Sequence, residues 1–171
     1  MESISASERQ EMISRITHEA LHLELRDRYA MDAEVIARWQ AGERDEVFAS
    51  VKPWCDEVRA GVAAGKTYRR ASVVSEPLSV YQRFCVAANA VKVEAGEDIR
   101  VVPRRLLSAI GVPGNDFWLL DRRVVVFGIF SGDDERVDIQ WTEEHAVVGF
   151  CLRAFESIWA LGIPQPEYEL I

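Results

Sequence analysis

The stretch Lys66-Thr-Tyr-Arg-Arg-Ala-Ser-Val-Val74 decides the fold, because its β-branched and aromatic residues predict a strand in the middle of the chain. A second strand is predicted at Ile99-Arg-Val-Val102, and a helix lies between the two. Ser75-Glu76-Pro77 offers that helix a capping hydroxyl, an acid and a proline, and Gly96 ends it. Residues 66–102 therefore predict a β-α-β unit, with parallel strands and a right-handed crossover.

The predicted helix of this unit carries an apolar stripe at a spacing of three to four residues. The stripe consists of Leu78, Tyr81, Phe84, Cys85 and Ala88. Such a spacing places the side chains on one face of a helix. We expect this face to pack on the sheet, with Tyr81 and Phe84 in the core.

Beyond the β-α-β unit, the chain predicts a short helix from Pro103 to about Ile110 and then three strands. These strands lie at about 117–120, 123–130 and 135–141 and are separated by short turns. Closely spaced strands are typical of an antiparallel meander. A last helix is predicted at about 143–161, with an apolar side made of Val147, Phe150, Cys151, Ala154, Ile158 and Trp159.

Before the β-α-β unit, residues 7–19 predict an amphipathic helix, and the period then changes to two. Leu21, Leu23 and Leu25 alternate with polar residues, which is typical of a half-buried strand. Two further helices are predicted near residues 32–41 and 47–64, each followed by a glycine.

Together these elements predict an α/β (α+β) fold: a mixed sheet with a β-α-β unit followed by an antiparallel meander, flanked by helices. A length of 171 residues suits a single domain. We divide it into an N-terminal helical part with one short strand (1–65), an α/β core (66–161) and a loosely held tail (162–171).

Charge and cysteine content limit the environment and the partners. The net charge of −8 argues against direct binding of nucleic acid, whose phosphates the protein would repel at long range. The three cysteines form no CxxC motif, which fits a reducing compartment. The N-terminus lacks the pattern of a signal peptide, and no apolar run could span a bilayer. We therefore expect a cytoplasmic protein that does not bind membranes.

His18-Glu19-Ala20-Leu21-His22 matches the zinc-protease motif H-E-x-x-H. The motif requires a helix, because only helical spacing brings both imidazoles to one metal ion. The alternating leucines predict that the helix ends inside the motif, and a continuous helix would place both histidines on a solvated face. We therefore expect no metal site.

The sequence contains no G-x-S-x-G, Walker or GxGxxG motif. Asp133 and Asp134 lie in a predicted turn and are interpreted as solvated. These observations favour a protein without catalytic residues and without a cofactor.

The arginines are the unusual feature of the sequence. Residues 66–105 carry a net charge of +4, and the rest of the chain carries −12. One interpretation is a set of ion pairs with Glu76, Glu97 and Asp98. The other is a pocket for an anion, since the guanidinium group binds phosphate and carboxylate through two hydrogen bonds.

The candidate ligand-binding residues are Arg70, Arg100, Arg104, Asp116 and Trp118. We expect Arg70, Arg104 and Trp118 to converge on one cleft, because ligands of open α/β sheets bind beyond the carboxyl ends of parallel strands. Trp118 would then form the floor of the cleft by stacking. Aromatic residues in a strand are also common in protein cores, so this second interpretation of Trp118 stays open.

Several motifs, in one order, make the chain resemble a known family. They are His22-Leu-Glu-Leu-Arg-Asp27 with Tyr29, Arg69-Arg70-Ala-Ser-Val-Val-Ser-Glu-Pro77, Tyr81 with Arg83-Phe84, Ala95-Gly-Glu97, Pro103-Arg104-Arg105 and Pro113-Gly-Asn-Asp-Phe-Trp118. The resemblance is to an actinobacterial family of unknown function, often encoded beside WhiJ-type helix-turn-helix regulators, and it covers about residues 15–168. It implies a role in regulation and supplies no catalytic residues.

A weaker, fold-level likeness concerns residues 121–128, which resemble the end of the H-x-K-(x)4-D motif of phospholipase D-like proteins. At that spacing, Gly114 stands where the histidine would be and Asp116 where the lysine would be. A phosphohistidine intermediate needs the imidazole, so the resemblance does not carry the chemistry with it.

The sequence thus predicts a non-enzymatic regulatory module that senses a ligand or binds a partner, associated with a helix-turn-helix regulator. A small anionic ligand is the expected small-molecule partner. An alternative is a phosphodiester-handling enzyme, or a degenerate phospholipase D-like domain, that uses the arginine cluster. A purely structural partner protein, marked by an exposed apolar patch, is a third possibility.

Overall fold

The structure, a computed structural model, describes residues 1–169. Its strands are β1 (Glu2–Ser3), β2 (Glu19–Glu24), β3 (Thr67–Val74), β4 (Asp98–Pro103), β5 (Phe117–Leu120), β6 (Val124–Phe130), β7 (Arg136–Thr142) and β8 (Ile163–Pro164). Its α-helices are α1 (Ala6–Ser14), α2 (Ala33–Gln40), α3 (Arg44–Ser50), α4 (Lys52–Ala63), α5 (Val80–Glu94) and α6 (His145–Leu161). Short 3-10 helices lie at Ala30–Asp32, Arg104–Leu107 and Gln165–Glu167.

All of these strands belong to one mixed sheet, in the order β1-β7-β6-β5-β2-β3-β4-β8. Strands β2, β3 and β4 are parallel, and helix α5 connects β3 to β4. Strands β5, β6 and β7 form an antiparallel meander whose first strand pairs with β2. The predicted fold class is therefore confirmed: a β-α-β unit and a meander share one mixed sheet flanked by helices.

Helices cover both faces of the sheet, and each face has its own core. On one face, α6 packs on Leu21, Leu23, Val73 and Phe117. On the other face, α1 and α4 bury side chains against Ala20, Tyr68 and Leu120. Strand β2 lies in the middle of the sheet. Its residues Leu21 and Leu23 face α6, so the alternate residues His22 and Glu24 face the side that α1 and α4 cover. The prediction of a half-buried strand is wrong in one respect, because helices cover both faces of β2.

The N-terminal helix is shorter than predicted. It ends at Ser14, and β2 has already begun at Glu19. His18 therefore lies just before strand β2, and His22 lies on that strand. The helical spacing that H-E-x-x-H requires is absent. The predicted helix at 47–64 is in fact two helices, because α3 ends at Ser50 and a new helix, with Pro53 in its first turn, begins at Lys52.

The start of α5 also differs from the prediction. The hydroxyl of Ser79, not that of Ser75, caps the helix by accepting the amide N–H of Gln82 at 3.1 Å. Ser75 instead donates its hydroxyl and its amide to Asp27, and the Glu76–Pro77 peptide bond is cis. Phe84 is buried, but it does not pack on the sheet as expected: it lies among side chains of α2 and α3, with Trp39 and Val47 as neighbours. Tyr81 is only partly buried.

Two C-terminal features differ from the prediction. Phe150 is 40% exposed, and Val148 and Phe155 occupy the buried side of α6 instead. The tail is not loose where it is described: β8 pairs with β4, and Tyr168 is buried with its hydroxyl donated to Glu76 at 3.0 Å. Residues 170–171 of the predicted tail lie outside the described residues. Within residues 1–169, no helix is long and apolar enough to cross a membrane.

Candidate functional site

A cavity of about 230 Å³ lies on the face of the sheet that α1 and α4 cover. Strands β2, β5 and β6 form its floor, and α1, α4 and α5 contribute walls. Aromatic side chains contribute much of its lining: Tyr29, Trp54, Tyr81, Trp118 and Phe130. The cavity therefore combines aromatic walls with polar and charged groups directed into it, as is typical of small-molecule sites. We call it the aromatic cavity.

Register in the sheet places the central residues of this site side by side. Trp118 on β5 is paired with His22 on β2, and His22 is paired with Arg70 on β3. The imidazole of His22 stacks on the indole of Trp118, with ring centroids 3.9 Å apart and planes inclined by 11°. The guanidinium carbon of Arg70 lies 5.8 Å from the Trp118 ring centroid.

His22 is held in its neutral form. Burial and the nearby charge of Arg70 bring the pKa of His22 well below 6.5. Its Nδ1 lies 3.6 Å from Oε1 of Glu24, which is too long for a hydrogen bond. Among the described residues, that buried nitrogen has no hydrogen-bond partner. The site thus contains a neutral imidazole with one hydrogen-bonding atom unused.

Arg70 is buried and paired on both sides. Its Nε donates to Oε1 of Glu97 at 2.7 Å, and its Nη1 donates to Glu24. Ser72 also donates to Glu24, and Trp54 donates its indole N–H to Glu97 at 2.6 Å. Burial opposes ionisation of Glu24, but the neighbouring positive charges, that of Arg70 foremost, and the hydrogen bond from Ser72 together outweigh it and lower the pKa of Glu24 to about 2. This buried network engages Nε and Nη1 of Arg70 and fixes its charge behind His22 and Trp118.

Asp116 closes the cavity at the end of the sheet. Its carboxylate accepts the amide N–H of Leu25 at 2.7 Å and the hydroxyl of Tyr29. Burial raises the pKa of Asp116 to about 6, despite these hydrogen bonds. Burial also raises the pKa of Tyr29 and of Tyr81, and raises that of Cys85 to about 12. The hydroxyls and the thiol at this site are therefore protonated at neutral pH.

Two arginines stand at the mouth of the cavity, Arg9 on α1 and Arg136 at the start of β7. Neither forms an ion pair within residues 1–169, and Nε of Arg9 is buried without a hydrogen-bond partner there. Burial and, to a smaller extent, the charge of Arg136 lower the pKa of Arg9. Asp32 is near enough for Arg136 to act on its pKa, yet the two form no ion pair.

Residues 26–32, which we call the strap, cross one side of the cavity. Tyr29, Met31 and Asp32 of the strap line it. Outside the cavity, Arg26 and Arg28 both bind the carboxylate of Asp134 in the β6–β7 turn, and the amide N–H of Ala30 donates to the Asp134 carbonyl at 3.1 Å. The sequence interpretation of Asp134 as solvated is therefore wrong, because it anchors the strap.

The expected convergence of Arg70, Arg104 and Trp118 is only partly found. Arg70 and Trp118 are neighbours, but Arg104 lies in a separate hollow of about 470 Å³, where it binds Ser75, Asp27 and the carbonyl of Leu25. Arg104 follows the end of β4, and its side chain turns towards these residues instead of crossing to β5. Asp116 lines both spaces.

Arg100 lies on the opposite face of the sheet. Its guanidinium carbon stands 4.5 Å from the ring centroid of Trp159 on α6, and its Nη1 donates to the Trp159 carbonyl at 3.0 Å. Ile99 is paired with Arg70 and so lies on the same face of the sheet as Arg70 and Trp118. Successive side chains of a strand point to opposite faces, so Arg100, the next residue, lies on the other face. Of the predicted candidates, Asp116 and Trp118 therefore line the aromatic cavity, Arg70 supports it, and Arg100 and Arg104 lie apart.

The sequence reasoning missed Arg9, His22, Tyr29 and Arg136 as site residues. A signal for His22 was present, because it and Glu24 are polar positions on a strand that the fold places at the centre of the sheet. No such signal distinguished Arg9 or Arg136, since each is one arginine among many and their proximity depends on the tertiary fold.

Asp121, the residue at the aspartate position of the phospholipase D-like motif, has a structural role. Its carboxylate accepts the backbone N–H groups of Thr17, His18 and Glu19 at 2.8, 2.8 and 3.0 Å. It lies with Arg122 in the tight β5–β6 turn, where both residues have positive φ. Within residues 1–169, no group of three His, Cys, Asp or Glu side chains is placed to hold a metal ion.

The protein-family model described as a domain of unknown function (DUF6879) matches residues 7–170 of this chain. No curated protein matches the chain.

Proposed function

We propose that this chain, which belongs to the family of the domain of unknown function DUF6879, is a non-enzymatic sensing module whose aromatic cavity binds a small effector. One observation carries the proposal. The cavity is lined by aromatic rings and contains two buried nitrogens, Nδ1 of His22 and Nε of Arg9, that lack a hydrogen-bond partner among the described residues. Buried polar atoms are rarely left unpaired, so a ligand that supplies their partners would stabilise the site.

The state of the reactive groups supports binding over catalysis. Nucleophilic catalysis requires a nucleophile and a base in hydrogen-bond contact. Here the imidazole of His22 is stacked and neutral, and the thiol of Cys85 has a pKa raised to about 12. The carboxylate of Asp116 is occupied by Leu25 and Tyr29. The state of these groups supports the proposal of a binding site.

The strap offers a route from the cavity to the surface. Tyr29 faces the cavity, while Arg26 and Arg28, a few residues before it, bind Asp134 on the outside. A ligand that contacts Tyr29 or Asp32 would favour one position of the strap, because only differential contacts shift a conformational equilibrium. A partner that binds the outer side of the strap would then distinguish the occupied cavity from the empty one.

The proposed partner is a helix-turn-helix transcriptional regulator. This proposal rests on the resemblance to a family encoded beside WhiJ-type regulators, and it fits the net charge of −8, which favours binding to a regulator protein over direct binding to DNA. The alternative of a phosphodiester-handling enzyme gains no support from the site, since Arg70 is paired with Glu24 and Glu97, and Asp121 accepts backbone amides.

The test is a linkage measurement with the full chain. The tagged protein is purified from the organism that encodes it, and any retained small molecule is identified by mass spectrometry. Binding of the neighbouring helix-turn-helix protein is then measured by calorimetry with and without that molecule. We expect the affinity to change by about fivefold or more. Equal affinity in both conditions contradicts the sensing role.

A further inference from the structure

Two arginines, Arg9 and Arg136, line the aromatic cavity without an ion pair within residues 1–169, and Nε of Arg9 is buried there without a hydrogen-bond partner. The carboxylate of Asp32 also lines the cavity and acts on Arg136, but does not pair with it. Most other arginines near the site have a carboxylate partner: Arg26 and Arg28 bind Asp134, and Arg70 binds Glu24 and Glu97. A guanidinium group that lines a cavity and has no partner offers hydrogen bonds to an anion from outside.

The walls of the cavity favour a flat ligand. Trp54 meets the Trp118 ring edge-on at 5.5 Å, and Tyr29 meets Tyr81 edge-on at 5.5 Å. These rings leave apolar surfaces that planar conjugated groups fill well. The volume of about 230 Å³ is below that of pockets for drug-sized molecules, so the ligand has one or two rings.

The interior also offers a specific polar contact. Nδ1 of His22 is buried and has no partner in the described part of the chain. Because the imidazole is neutral, this nitrogen pairs with a single complementary group of a ligand, either a donor or an acceptor. A heteroatom in or on the ring of the ligand would provide that group.

We infer that the aromatic cavity binds a small planar heteroaromatic anion, with its carboxylate or phosphate on Arg9 and Arg136 and its ring beside Trp54 and Trp118. This inference rests on the proposed function and names the chemical class of its effector. A ligand with an apolar ring and no anionic group would leave the two arginines unpaired. An anion without a ring would leave the space between the aromatic walls unfilled.

The test compares four probes by calorimetry on the full chain. Indole-3-carboxylate and pyridoxine 5′-phosphate carry both a heteroaromatic ring and an anion, and they distinguish a carboxylate from a phosphate. Indole lacks the anion, and cyclohexanecarboxylate lacks the aromatic ring. We expect one of the first two to bind with a dissociation constant below about 1 mM, and about tenfold or more tighter than indole and cyclohexanecarboxylate. Absence of binding by both, or equal binding of indole, overturns the inference.

Paired variants locate the anion. Arg9→Gln combined with Arg136→Gln should weaken the bound probe about tenfold or more. Arg15→Gln combined with Arg123→Gln removes the same charge from exposed positions and should change the affinity by less than about twofold. Equal effects of the two pairs overturn the assignment to Arg9 and Arg136. If the molecule retained from the native organism is uncharged, this inference fails while the proposed function stands.

Discussion

The imidazole of His22 lies flat against the indole of Trp118, with 3.9 Å between the ring centroids. The two residues are paired across β2 and β5, the junction where the parallel part of the sheet meets the antiparallel meander. The same His22 completes the H-E-x-x-H pattern of the sequence. In the folded protein it forms part of the floor of a cavity, since it lies on a strand and stacks on an aromatic ring.

The burial of His22 against Trp118 predicts that the free energy of unfolding falls in acid. The pKa of His22 is well below 6.5 in the folded protein, so only the unfolded chain takes up this proton as the pH falls. Stability is therefore lost below pH 6.5, by up to about 1.4 kcal/mol per pH unit for this one group. Urea unfolding at pH 7 and pH 5 should show the loss in the wild type and a smaller loss in His22→Phe. Identical pH dependence of the two proteins contradicts a neutral His22.

Asp116 should have the opposite effect. Its pKa is about 6 in the folded protein against an ordinary value of 3.8, so the folded state holds the proton longer. Ionisation of Asp116 therefore reduces stability as the pH rises from about 4 to 6, by on the order of 2 kcal/mol. Asp116→Asn keeps an acceptor for the amide of Leu25 and removes the titration. The difference between the variant and wild-type unfolding profiles measures the effect, and a flat difference would show that Asp116 titrates normally.

Phe84 on α5 tests the packing of the crossover helix. It is 7% exposed and contacts Trp39 edge-on at a ring distance of 5.9 Å. Phe84→Ala should reduce the free energy of unfolding by about 3–5 kcal/mol, because it leaves a cavity in the core. Phe150→Ala is the matched control, since Phe150 is 40% exposed and its loss should cost less than about 1 kcal/mol. Similar losses in denaturant unfolding of the two variants would mean that α5 does not pack as described.

Gly61 on α4 tests the contact between that helix and β3. A Cβ atom at this position would lie 2.1 Å from the hydroxyl oxygen of Tyr68. Gly61→Ala should therefore destabilise the protein by about 1–3 kcal/mol, although alanine favours helices. Gly149→Ala on α6 meets only the flexible end of Arg153, at 3.2 Å, and should stabilise by up to about 1 kcal/mol. Thermal unfolding with opposite signs for the two variants confirms the contact, and a stabilised Gly61→Ala contradicts it.

The sequence predicts well those helices and strands that have a local signal in the sequence. The alternation of apolar residues and the turn residues Asp121-Arg122 place β5, β6 and β7 within about one residue of their observed ends. The two-residue strands β1 and β8 carry no such signal, because each depends on pairing with a distant strand. The cap of α5 was misplaced because Ser75 and Ser79 are both suitable capping residues, and only the contact of Ser75 with Asp27 decides between them.

The candidate site is harder to predict than the fold. Trp118 and Asp116 were recognisable as aromatic and acidic residues at the start of a strand. Of the two partners of Arg70, Glu97 was among the expected ion-pair residues, but Glu24 was not, because it comes from β2, which joins β3 only in the folded sheet. Arg9 and Arg136 line one cavity because α1 and β7 both border it, and β1, which precedes α1, pairs with β7. A single sequence contains no local pattern for such contacts.

The central claim is that the aromatic cavity holds a small effector, and native mass spectrometry of the chain purified from its own organism tests it most directly. Met31 is exposed and lines the mouth of the cavity, so Met31→Trp should obstruct entry without disturbing the core. Val137→Trp adds the same indole at an exposed position that is not part of the cavity lining. We predict a bound small molecule in the wild type and in Val137→Trp, and none in Met31→Trp. A molecule retained equally by all three proteins, or by none of them, would contradict the claim.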